Sequence, residues 1–254
     1  MGCVYLIVIL SVTIVAFAFF NNISVERVIL ISEETSLLLA HLIILIHREP
    51  EISNYNWLLC KASAISLHYL LLVTTSFYLL EALQSYAVST NVVMKDGILG
   101  IKANIMLGWG MPALFVMMSG TFMHDQYVSW HSCWLNLDEP VAKVVFVPHI
   151  ILMGISIILC EAAGSFAGTP LPLANKQQIT SAFLSRQGLP IIMSLFAASH
   201  IFGMLAVNYP HVALYTMVFG LNLALGSAIF FFHAMQDAKI RAFSAKVMSI
   251  ICCN

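Results

Sequence analysis

The groups here with chemistry to offer are three carboxylates and a scatter of imidazoles, all set in apolar surroundings. Glu33 and Glu34 sit side by side in one apolar run, and Glu81 lies near the far end of another, over 60–86. A run of about 20 apolar residues is the length a helix needs to cross a bilayer. A carboxylate inside such a run is costly, so it marks a functional site or a paired structural group. Neighbouring helical residues point about 100° apart. Glu33 and Glu34 are therefore expected to face different ways, one into the helix bundle and one toward the headgroups. Protonated or hydrogen-bonded structural groups are the plainer reading of the three carboxylates, and a conformational switch is the sharper one. His41, His68, His149, His200 and His233 fall at helical positions, where a lone histidine is more often a packing residue than a ligand.

Other chemistries find little support. His124, Asp125, His131 and Cys133 share one short loop, but their spacing fits no tetrahedral zinc pattern, so neither a metal site nor a cofactor is expected. The sequence has no phosphate-binding glycine loop, His-Glu-x-x-His or Gly-x-Ser-x-Gly, and nothing nominates an enzyme.

The elements that must hold these residues follow from composition. Sixty per cent of the 254 residues are hydrophobic and nine per cent are charged, whereas a soluble domain carries about 25% charged residues. That is a polytopic membrane protein, with the lipid bilayer as its obligatory partner. A net charge of −1 leaves no basic stripe to neutralise phosphates, which argues against nucleic acid.

Seven apolar segments are expected, over about 3–20, 27–47, 60–88, 100–123, 143–164, 188–208 and 211–233. The fold class is thus an all-α bundle of seven transmembrane helices over 1–234. The remaining residues, 235–254, read as an amphipathic cytoplasmic helix and short tail, with Lys239, Arg241 and Lys246 among apolar residues. Placing the N-terminus outside puts eight of the 11 Lys and Arg on the cytoplasmic side, which satisfies the positive-inside bias. The sequon Asn22-Ile23-Ser24 then falls in an inner loop. With this topology Cys60 and Cys133 are the two cysteines plainly on the oxidising side, and a disulfide between them is expected. Cys252 and Cys253 follow the amphipathic helix as candidates for palmitoylation.

A set of short motifs runs through these segments in order. They are the Ser36–Leu45 stretch SLLLAHLIIL, Cys60, Leu67-His68-Tyr69, Leu80-Glu81, Gly108-Trp109-Gly110-Met111-Pro112-Ala113 and Cys133-Trp134-Leu135. Pro148, Ile201-Phe202-Gly203, Leu221-Asn222, Gly226, Phe232-His233 and Lys239-Ile240-Arg241 continue the series. Over roughly 25–245 the chain resembles the seven-helix domain of adhesion-class G-protein-coupled receptors, the group that includes the latrophilins. The resemblance implies a plasma-membrane receptor passing an extracellular signal to heterotrimeric G proteins. It also implies a tethered peptide agonist supplied by an extracellular region outside this sequence. By the same resemblance Glu81, His200, Asn222 and Gly226 form a switch core and Trp134 belongs to the second outer loop, while His68, Glu33 and Glu34 are read as polar bundle residues. Departures from the family pattern are His200 at the sixth-helix tryptophan, Leu225 at a seventh-helix glutamine and Leu30 at a second-helix histidine. Glu33 and Glu34 stand where the family is usually apolar. The competing readings are a non-signalling seven-helix protein with an adhesion, assembly or decoy role, and a small transporter or proton-linked channel.

Overall fold

The computed structural model describes residues 2–19, 24–46, 57–90, 98–128, 133, 139–165, 176–237, 239–242 and 246. Among the described residues, seven helices are long and apolar enough to cross a membrane. They are α1 (Gly2–Phe19), α2 (Val25–Ile46), α3 (Trp57–Ser89), α4 (Ile101–Phe122), α5 (Pro140–Ser165), α6 (Lys176–Asn208) and α7 (Val212–Phe232). Backbone N–H and C=O groups find no water in hydrocarbon, and a helix satisfies them internally. Apolar run length therefore translates directly into helix number. The chief difference from the expected boundaries is α6, which begins at Lys176 and not near residue 188. Lys176 and Arg186 end the apolar run but not the helix, because a helix needs hydrophobic residues only where lipid surrounds it.

Helix α3 runs through the middle of the bundle, against α2, α4, α5 and α6. Its Leu67, Leu70, Leu71, Tyr78 and Ala82 belong to the main core, joined by Leu37 of α2, Ile192 of α6 and Leu225 of α7. Around this core the outward faces stay apolar. On α1, Val4, Val8, Val12 and Val15 are exposed while Leu6, Leu10 and Phe17 are buried. Exposed aliphatic rows of this kind suit a lipid surface.

Helix α4 contains a π-helical turn, Met106–Gly110, a distortion often found at functional sites. Here it serves close packing. A Cβ added to Gly108 would lie 2.3 Å from the ring of Phe77 on α3, and that ring is fully buried. Small residues at helix contacts let backbones approach closely in membranes. Prolines lie inside α5 (Pro148) and α6 (Pro190).

At one end of the bundle Cys60 of α3 is joined to Cys133 by a disulfide, with Cα atoms 4.8 Å apart. Beside it the Lys61 amine donates to Asp125 Oδ1 at 2.9 Å. That hydrogen bond holds the exposed Asp125 carboxyl below its ordinary range. At the opposite end Arg27 of α2 pairs with Asp237, just beyond α7. Asp237 Oδ1 also accepts from the backbone N–H of Lys239 at 2.7 Å and of Ile240 at 3.4 Å. It therefore caps the helical residues 239–242, of which Ile240 is buried and Lys239 and Arg241 are exposed. Apart from the exposed, helical Lys246, the rest of the expected amphipathic helix lies outside the described residues, as do Trp134, His131, Cys252, Cys253 and Asn22.

Two stability predictions follow from this packing. Gly108→Ala overfills the α3–α4 seam and should cost about 1–3 kcal/mol. Gly110→Ala has nothing within 4 Å of its new methyl and should leave thermal unfolding of the solubilised protein unchanged. Replacing Cys60 and Cys133 by serine opens a cross-link spanning 73 residues and should cost about 2–4 kcal/mol in the same melts.

Candidate functional site

Three polar groupings are strung along the bundle, and the one farthest from the disulfide is the densest. His233 stands at the C-cap of α7 and is fully buried. Its Nδ1 lies 3.2 Å from Glu34 Oε1 and 3.9 Å from Glu33 Oε1, while its Nε2 lies 3.9 Å from Glu81 Oε2. Glu81 Oε1 accepts a hydrogen bond from the hydroxyl of Ser185 on α6. One junction thereby joins α2, α3, α6 and the end of α7.

The expectation that Glu33 and Glu34 face different environments does not hold. Both carboxylates are fully buried. The two residues straddle the α2 face turned toward α3 and α7, and each side chain is long enough to reach the same imidazole. Ser36 Oγ donates to the Glu33 carbonyl at 2.8 Å and lies 2.8 Å from Thr74 Oγ1, which ties this stretch of α2 to α3. Among the described residues no lysine or arginine pairs with the three glutamates, and Arg27 is engaged by Asp237.

The second grouping lies near the middle. Ser199 of α6 donates to Asn222 Oδ1 of α7 at 2.8 Å. The His200 ring sits 4.3 Å from that of Phe196 and meets His41 edge-on at 5.8 Å. Gly226 is apart from both: a Cβ there would lie 3.1 Å from Tyr5 and 3.2 Å from Leu6, so it shapes the α1–α7 contact. The four residues grouped from the sequence as one switch core thus occupy three separate places.

Toward the disulfide end, a cavity of about 120 Å³ opens between α3, α5 and α6. Its lining is mostly apolar, with His68, His149 and His200 as its titratable members. Nε2 of each of these histidines has no hydrogen-bond partner among the described residues. His68 is oriented by a buried chain in which its Nδ1 lies 2.8 Å from Tyr127 Oη, itself 2.7 Å from Ser119 Oγ of α4. An apolar cavity with a few convergent nitrogens suits a ligand with an apolar body and few polar groups. Tyr127, Ser119, Ser185 and the role of His233 were not legible in the sequence, because no motif spacing links residues on different helices.

Residues 1–231 match the family described as 7 transmembrane receptor (Secretin family). Among curated proteins, the chain is 27% identical to adhesion G-protein coupled receptor D1 of Homo sapiens across 95% of its own length. It is 29% identical to cadherin EGF LAG seven-pass G-type receptor 3 of Rattus norvegicus across 74%, and 24% identical to adhesion G protein-coupled receptor L4 of Homo sapiens across 95%. It spans only 28%, 6% and 35% of those three proteins respectively. Seven membrane-length helices and a family match over nearly the whole chain lead to one conclusion: this chain belongs to the secretin family of seven-transmembrane receptors, as a transmembrane domain of the adhesion type.

Proposed function

We propose that this bundle transmits an extracellular signal to heterotrimeric G proteins at the plasma membrane, with its N-terminus outside and its C-terminus cytoplasmic. The observation that carries this reading is the junction of Glu81, Ser185 and His233, which closes α3 against α6 and α7. It sits at the end of the bundle that the basic residues assign to the cytoplasm. The cavity at the other end shares α6 with it: His200 lines the cavity and Ser185 reaches Glu81. Fifteen residues of helix separate the two, about 22 Å, with Pro190 between them as a place to bend.

An agonist that binds the cavity more tightly when α6 is displaced shifts the bundle toward the open state, by as much as its affinities for the two states differ. A tethered peptide from an extracellular region is the agonist the family suggests. His68 and His149 would meet it from the cavity wall, and Trp134 from the outer loop. The Cys60–Cys133 cross-link would keep the outer end of α3 fixed while α6 moves. Residues 235–254 would lie along the inner membrane surface, with Cys252 and Cys253 as lipid anchors. Relatives of this family are receptors, and no catalytic role is proposed.

Two experiments test this. Glu81→Gln and Ser185→Ala weaken the closed junction, and each should raise basal G-protein dissociation several-fold at matched surface expression. Silence of the wild type and both variants, with and without added peptide, would overturn coupling and favour a bundle kept for adhesion, assembly or decoy binding. In the proposed topology an epitope at the C-terminus is reached by antibody only after permeabilisation, and Asn22 carries no glycan. Sugar on Asn22 would invert the assignment.

A further inference from the structure

Glu33, Glu81 and His233 each present one potential ligand atom, and these atoms lie within 4.8 Å of one another. They arrive from α2, α3 and the end of α7, and all three residues are buried. Acidic residues in a cluster do not by themselves make a site; the histidine supplies the second observation. Glu34 Oε1 lies 3.2 Å from His233 Nδ1; in the tautomer protonated at Nδ1 the ring donates to this carboxyl group and leaves the Nε2 lone pair free. Nε2 has no partner among the described residues and points toward Glu81 Oε2 at 3.9 Å. Both oxygens of Glu33 and Oε2 of Glu81 are also unpartnered. A carboxylate on one ring nitrogen and an unshared pair on the other is the arrangement that orients metal-binding histidines.

We propose that Glu33, Glu81 and His233 form a binding site for a divalent transition metal of the zinc class, with Glu34 as the outer partner of His233. The donor set decides the class. One imidazole with two carboxylates suits zinc and its first-row neighbours, whereas calcium takes six to eight oxygens and magnesium keeps a near-octahedral oxygen shell. Zinc–donor distances of about 2.0–2.2 Å require the three atoms to draw together by roughly 1 Å, within the reach of two glutamate side chains. A divalent ion would also supply the positive charge that no lysine or arginine among the described residues provides here. A cavity of about 20 Å³, lined by both polar and aliphatic side chains, reaches Glu81 from the side of Glu26, Gln84, Ser85 and Ser185, an approach wide enough for a water or a small ion. The site stands whether or not the bundle couples to a G protein, and a bound ion would clamp α2, α3 and α7 together.

The test is a titration of the purified full chain, solubilised and carrying no polyhistidine tag, with cobalt(II) chloride alone and then zinc chloride. One equivalent of cobalt should develop a saturable visible absorption of four-coordinate intensity that zinc abolishes. Glu33→Gln and Glu81→Gln, which keep side-chain shape, and His233→Ala should each lose the band or weaken binding at least tenfold. Glu34→Gln should weaken binding by about 10–100-fold, and His124→Ala should leave it unchanged. Metal-free thermal melts identify any variant that fails to fold, and the wild type and the two glutamine variants decide the matter if His233→Ala does. A folded wild type without a saturable band overturns the site, as does a band that survives Glu33→Gln and Glu81→Gln or disappears in His124→Ala.

Discussion

Burying a carboxyl group is costly unless it finds hydrogen-bond partners, and this bundle buries Glu33, Glu34 and Glu81 around a single ring. The His233 side chain stands between Glu34 on one ring nitrogen and Glu81 on the other. The arrangement survives only if α2, α3 and the end of α7 keep their positions, with α6 adding the Ser185 hydroxyl. Removing one member leaves the others buried with fewer partners, a more damaging outcome than never having placed them there. Conformational freedom at this end of the molecule is therefore tied to one polar junction.

Helix α3 is long because it must serve both ends. Its 33 residues carry Cys60 at the disulfide, His68 at the cavity and Glu81 at the junction. Burial on nearly all sides demands close neighbours, which explains Phe77 seated over Gly108 in the π turn of α4. Association of helices in lipid gains little from hydrophobicity, since the tails are as apolar as the side chains. Packing and interhelical hydrogen bonds carry it instead. The Ser36–Thr74 and Ser199–Asn222 contacts are of that kind.

His200 and Leu225 sit near the middle of the bundle. The His200 ring lies tilted against that of Phe196, with centroids 4.3 Å apart, and lines the cavity. Leu225 is fully buried in the main core. The centre of the bundle combines an aliphatic core with the Ser199–Asn222 contact, between the polar groupings at the two ends.

The seven spans, the all-α class and the family were legible from the chain alone, because the length of an apolar run and the order of short motifs are local properties. The hidden parts were those that depend on how helices rotate against one another. Hydrophobic periodicity, which marks the inner face of a soluble helix, is erased here: Val4, Val8, Val12 and Val15 face outward while the equally apolar Leu6 and Leu10 face inward. With no polar side to read, the sequence could not tell that Glu33 and Glu34 converge, or that His233, some 150 residues beyond Glu81, would lie between them. Nor could it tell that Gly226 packs on α1 while Asn222 reaches both α1 and α6. Sequence determined which segments enter the membrane, since that free energy is a sum over each segment. Tertiary structure decided which charged groups meet, since a buried carboxylate is stabilised only by atoms that other helices deliver to within a few ångströms.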